Sequence, residues 1–408
     1  MMTTVEPTDS GTPAIGWGEI GKLLDRSESN AAYRTAARWA LDTLQARLGA
    51  DWLERAVSRR EEDFPLGLHL LSCHAHALAE GLEWALRLEM CESWEGSADF
   101  LRDLINDPSP GRILHSRNQL AQASFAARLG WPVSLEPVQD GGAPADLAIA
   151  TPSGLIVTEV RVLTPSEFGR DQRTAAESAS DWLFWLGRKH GVWIGGKLGR
   201  DPTKDERQEI EDLVKHEAGR AAEGSRPVYS VEGITLELGE WDVGGSALTS
   251  PPVREDLFDR MVRAIAEKAE KMQASGAQWL HASVLTGLWR FTEWGRGPLS
   301  SKAPFMSSAL SSALGDRCPF GVVLTSGSGL APDDMEEEVA TSAAGISLRI
   351  PIQALRARET LILPFRPEAT TSAKALLALA RSESDWLGWA LAEKNLPSLD
   401  EMLAVPST

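Results

Sequence analysis

Cysteine, tyrosine, positive charge and long apolar runs are all scarce in this chain, and each shortage excludes something. Three cysteines, Cys73, Cys91 and Cys318, occur in 408 residues without paired spacing. That excludes a disulfide framework and indicates a reducing compartment. No apolar run reaches the roughly 18 residues a membrane helix needs, so no membrane span is expected. The opening MMTTVEPTDSGTPAIG has neither a basic segment nor an apolar stretch, so it does not read as a signal peptide. A cytoplasmic location is expected. The 41 Lys+Arg stand against 58 Asp+Glu, a net charge of −17. Such a surface repels nucleic acid at long range, so any such partner needs a local basic patch.

What is present is ordinary for a folded chain, 43% hydrophobic and 24% charged. Residues 1–28 are rich in Thr, Pro, Gly and Ser and read as a mobile tail. Residues 29–108 carry apolar positions at helical spacing, as in AAYRTAARWALDTLQARL, and read as a helical module. That module offers a surface for a protein partner. A further helix is marked by Ser109 as its cap, Pro110 in its first turn and Gly130 at its end. WPVSLEPV, ADLAIAT and LIVTEVRVL then read as strands, followed by a helix near 171–189 and a strand at VWIGG. The order helix, three strands, helix, strand predicts an α/β core over 109–200 within an α+β chain. Helix and strand candidates continue as an α/β extension over 201–368, and a helical tail covers 369–408.

The stretch PADLAIATPSGLIVTEVRVLTP, residues 144–165, sets Asp146 and Glu159 among apolar residues. TPSG at 151–154 has the form of a turn. With Pro152 and Ser153 as a two-residue turn, Asp146 falls opposite Glu159, and opposed side chains stand about 4.5–5.5 Å apart. With a three-residue turn and a bulge at Gly154, Asp146 falls opposite Val160, on the other face. The first register groups the charges and leaves Leu147, Ile149, Ile156 and Val160 on one apolar face, and it is the preferred one. Arg161 shares the face of Glu159. On the preceding helix, Arg112, His115, Gln119 and Gln122 form one polar stripe at i, i+3, i+7 and i+10, the mark of a wet cleft.

A helix, an Asp early in one strand and Glu-x-basic in the next resembles the restriction-endonuclease-like PD-(D/E)XK nucleases, over roughly residues 110–198. The resemblance implies that Asp146 and Glu159 hold Mg²⁺ or Mn²⁺, that Arg161 stands for the family's Lys, and that Gln119 stands for an acid on the first helix. It implies metal-dependent hydrolysis of a nucleic-acid phosphodiester, DNA rather than RNA, with a catalytically inactive binding or regulatory module as the alternative. The pattern departs from the family's: Pro144-Ala145-Asp146 replaces Pro-Asp, and Arg161 cannot lose its proton. Residues 161–200 hold seven Arg/Lys against four Asp/Glu. Arg170 and Arg173 in that window, together with Arg112 and His115, are the expected phosphate contacts.

Other features read as structural. His69, Cys73 and His76 share one helix face without an evident fourth zinc ligand. Trp182/Trp185 and Trp386/Trp389, in the twice-occurring S-D-W-L-x-W, read as core anchors. Lys268 and Lys271 read as a solvated helix face.

Overall fold

A computed structural model describes residues 16–26, 29–57, 75–138, 142–163, 179, 182–183, 186–187, 189–200, 202–240, 248–249, 257–284, 298–315, 319–330, 335–353 and 356–404. The fold is α+β, and the chain divides into two units: Met1–Leu163 with Phe258–Thr408, and Thr164–Leu257. The smaller unit therefore interrupts the chain of the larger one.

The larger unit opens with α1 (Trp17–Asp25), α2 (Ala31–Leu48), α3 (Trp52–Val57), α4 (Ala75–Cys91), α5 (Ser97–Asn106) and α6 (Pro110–Arg128). The start of α6 follows from its sequence: the Ser109 hydroxyl accepts the Arg112 N–H at 3.4 Å, and Pro110 occupies the first turn. Three strands follow, β1 (Val133–Leu135), β2 (Leu147–Thr151) and β3 (Gly154–Leu163). β2 and β3 pair antiparallel with Thr151 opposite Gly154 and Leu147 opposite Thr158. That is the two-residue turn at Pro152-Ser153, with Gly154 at φ +124° leaving it. The Thr151 hydroxyl fastens the turn by donating to the Gly154 carbonyl at 2.8 Å.

The smaller unit takes the next part of the chain. Its sheet has the order β5–β6–β4–β7, from β4 (Val192–Leu198), β5 (Val228–Val231), β6 (Ile234–Glu240) and β7 (Leu248–Thr249). Helix α7 (Lys204–Ala222) buries Ile210 and Val214 against Leu198, Ile234, Leu236 and Leu238 of that sheet. The expected grouping of VWIGG with residues 109–163 is thus corrected. That strand belongs to another sheet and another core.

The larger unit resumes with α8 (Leu257–Ser275), β8 (Trp279–Val284), α9 (Leu299–Leu314), β9 (Gly321–Leu330), β10 (Glu338–Ser342), β11 (Gly345–Ile352) and β12 (Arg356–Pro364). Three helices close it: α10 (Ala369–Arg381), α11 (Trp386–Glu393) and α12 (Leu399–Leu403). Its sheet has the order β1–β2–β3–β8–β9–β12–β11–β10, with β3, β8 and β9 mutually parallel and the other pairs antiparallel. The parallel neighbour of β3 is therefore β8, reached through α8. One continuous core joins the first helices, the closing helices and one sheet face, through Leu44, Leu82, Phe100, Phe125, Ile149, Ile156, Trp279, Ile362 and Trp386. Helical module, sheet and tail thus share one core. Trp386 is the anchor its spacing implied: its ring meets Phe125 edge-on at 6.2 Å, and its Nε1–H donates to the Ser124 carbonyl at 3.2 Å. His69 and Cys73 lie outside the described residues, and Cys91 is a buried free thiol whose pKa burial pushes up to about 12. Among the described residues, no helix is long and apolar enough to cross a membrane.

Candidate functional site

Continuing the β2–β3 register by one residue brings Asp146 beside Glu159, on the face away from Leu147 and Ile149. Asp146 precedes β2, and its carboxylate is held from several directions. Oδ2 accepts the Val160 N–H at 2.6 Å, and Oδ1 meets His115 Nε2 of α6 at 3.1 Å. The Gln119 amide donates to the Asp146 backbone carbonyl. Glu159, only 6% exposed, lies within hydrogen-bonding reach of Asp146 and of Ser275 at the end of α8. Lys268 of α8 completes the group, its Nζ 2.6 Å from Glu159 Oε2 and 3.6 Å from Asp146 Oδ2.

Two carboxylates side by side repel, and burial makes the repulsion costlier. Their acidities split accordingly. Burial works to raise the Asp146 pKa, but the hydrogen bond and charge of His115, the Lys268 ammonium and the Val160 N–H outweigh it. Its carboxyl lies well below the usual range. Glu159 is pushed up by burial and then by the Asp146 charge, with Lys268 and Ser275 only partly offsetting them. Neighbouring carboxyls driven apart in acidity are the arrangement from which acid–base chemistry is built.

The expected residues fare differently. Asp146, Glu159, His115 and Gln119 do come together. Gln119 is fully buried and acts on the backbone of Asp146, so it is a positioning residue, and its Oε1 has no hydrogen-bond partner among the described residues. Arg161 is exposed, and among the described residues the cation that touches both carboxylates is Lys268. This corrects two expectations: Arg161 as the site's cation, and Lys268 as part of a solvated face. Arg112 is committed to Glu136 at 2.9 Å and lies over the Phe100 ring at 5.8 Å, which leaves it ill-placed as an open phosphate contact. Arg170 and Arg173 lie outside the described residues.

Lys268 had a detectable signal. Met261, Ile265, Ala269 and Met272 form the buried stripe of α8, and Lys268 stands three residues after Ile265 and four before Met272. A lysine bordering an inward stripe needs an acid to face. Glu136 was missed as well; it directly follows β1, at φ +48°, with its N–H donating to the Asp146 carbonyl at 3.1 Å.

Among the described residues, no group of three or more His, Cys, Asp or Glu side chains is placed to hold a metal ion. The donor chemistry nevertheless suits a hard divalent cation. Asp146 and Glu159 supply adjacent carboxylate oxygens, and the orphaned Gln119 Oε1 is a further buried acceptor. No family model, curated protein or solved structure matches the chain.

Proposed function

We propose that this protein hydrolyses a nucleic-acid phosphodiester, DNA in preference to RNA, with Mg²⁺ or Mn²⁺, as a cytoplasmic nuclease of the restriction-endonuclease-like kind. The observation that carries the reading is the convergence of Asp146, just before β2, and Glu159 of β3 on Lys268 of α8, whose Nζ lies 3.6 Å from the first and 2.6 Å from the second. The sheet supports it too: α6 is followed by the antiparallel β1–β2–β3, whose β2–β3 hairpin brings Asp146 beside Glu159, and the parallel neighbour of β3 is β8, reached only after the smaller unit and α8.

Asp146 and Glu159 would hold the ion. When bound, it would acidify a coordinated water and neutralise charge developing on the phosphoryl oxygens. The protein's own groups have separate tasks. Asp146, ionised throughout the neutral range, is the fixed anion, oriented by Val160, His115 and Gln119. Glu159 must be deprotonated to serve as a ligand, so its raised pKa sets the acid limit of activity. Lys268, beside both carboxylates, would stabilise the charge of the transition state.

A second reading is favoured by one feature. Lys268 already bridges both carboxylates, so the cluster is partly neutralised without a metal. This would suit an inactive nuclease-like binding module. Calorimetric titration of Mn²⁺ into the wild type and Asp146→Asn separates the two, alongside cleavage assays on DNA and RNA. Catalysis predicts binding and cutting by the wild type alone. Equal heats from both proteins, with no cutting, would sink it.

A further inference from the structure

A second group of charges lies in the larger unit, between α4, α6, β12 and α11. Four guanidinium groups, Arg87, Arg117, Arg356 and Arg358, meet three carboxylates, Glu80, Glu83 and Glu383. Arg117 pairs with Glu80. Arg358 is spent on Glu383, its Nε 3.1 Å from both oxygens and its Nη2 2.8 Å from Oε1. Glu83 is left to serve two partners, Arg356 and, at 3.2 Å, Arg87. Among the described residues, four positive charges against three negative leave one in excess. Glu83, Arg87 and Arg356 are each more than nine-tenths buried.

An uncompensated buried charge is costly. Arg87 recovers part of the cost by stacking, its guanidinium 4.7 Å from the Trp386 ring centre and 5.7 Å from that of Phe125. Among the described residues its Nε–H still has no acceptor. Burial depresses the Arg87 pKa, and Arg117 and Arg356 add to the effect against the pull of Glu83. Arg87 borders a small, partly open cavity of about 10 Å³, room for one water-sized occupant, that Arg356, Gln353 and the carboxylates Glu83 and Glu383 also line, Glu383 being held by Arg358. Gln353 Oε1 is likewise without a partner among the described residues, and a half-turn of that amide presents a donor instead.

We propose that this cavity binds a small monovalent anion of halide size, held by Arg87 Nε–H, the shared positive charge of Arg87 and Arg356, and the turned Gln353 amide. A single water could accept from Arg87 and donate to Gln353, but it would leave the excess charge uncancelled. That difference decides between the two occupants. The ion would brace α4 against α6 and α11 through Arg87, Phe125 and Trp386. The inference does not depend on the proposed hydrolysis.

The test is thermal unfolding of the full-length protein in chloride, bromide or gluconate at one ionic strength, with the width of the chloride NMR line as a second readout. Gluconate is too large for the cavity and serves as the control. We expect Tm to rise saturably with chloride and bromide but not with gluconate, and the chloride line to broaden. Arg87→Met should weaken halide binding by at least about tenfold. Gln353→Glu supplies an anion covalently, so it should keep the fold and abolish the halide increment. Equal Tm in all three salts with an unbroadened line would mean water only and overturn the proposal. An unchanged halide increment in Gln353→Glu would overturn it too, by placing the ion elsewhere.

Discussion

The cluster at Asp146, Glu159 and Lys268 and the cluster at Glu83, Arg87 and Arg356 use the same kinds of group in opposite proportion. In the first, two carboxylates share one ammonium. In the second, two guanidinium groups share one carboxylate. Burial pushes the carboxyl pKa up in both, yet Arg356 and Arg87 overcome it and hold Glu83 down at about 2. Lys268 cannot do the same for both of its partners, and Glu159 is left raised. Access differs as well. The Lys268 and Asp146 side chains are 23% and 18% exposed, against 6% and 9% for Arg87 and Glu83. Excess acid reached by solvent through Lys268 and Asp146 suits a site that takes up a cation, whereas a more deeply buried excess of base ties helices to a sheet.

The sharpest way to break this comparison is to neutralise one carboxylate in each cluster. Glu83→Gln strands Arg87 and Arg356, and denaturant unfolding should show a loss of about 3–5 kcal/mol. Glu159→Gln removes a repulsion instead, so its stability should stay within about 1 kcal/mol of wild type. If the site is catalytic, cutting by that variant should fall about a thousandfold. A large stability loss in Glu159→Gln would make the two clusters alike and both structural.

The pH dependence sharpens the same contrast. Glu159 has a folded pKa raised above its ordinary 4.5, so its contribution to stability is present below 4.5 and lost as pH rises through the folded value. Asp146 is depressed below 3.8, so its contribution is present above 3.8 and lost as pH falls through the folded value. Melting curves across pH should therefore show Glu159→Gln gaining on wild type as pH climbs above 4.5. Asp146→Asn should lag wild type near neutrality and close the gap in acid. Parallel curves for both variants would contradict the split. The smallest effect belongs to Arg161→Ala, expected within about 0.5 kcal/mol of wild type in stability because the side chain is exposed. Its cleavage rate should change far less than that of Lys268→Met, and the reverse order would restore Arg161 as the site's cation.

What could be read in the sequence was local. Ser109 and Pro110 announce α6, and Thr151-Pro-Ser-Gly154 sets the register that puts Asp146 beside Glu159. Alternation in β3 separates Glu159 from Thr158 and Val160 because the side-chain period of a strand is two. What could not be read was long-range. Lys268 lies 109 positions after Glu159 (268 − 159), beyond a whole unit with its own core. Nothing in VWIGG distinguishes a strand of that unit from a neighbour of β3, since both demand the same apolar, β-branched residues. Arg161 drew attention because it was near in sequence, and Lys268 escaped it because a helix surface is where lysines ordinarily sit.

The interruption between β3 and α8 also orders events during synthesis. Asp146 and Glu159 emerge from the ribosome together, while their ammonium partner follows only after residues 164–257 have been made. Until then the hairpin carries a bare acid pair, and neither β8 nor α8 exists to cover it. Closing so long an excursion costs little more entropy than closing a short one, so the delay is one of timing rather than of energy. The acid pair thus gains its cation only after the intervening unit has been made.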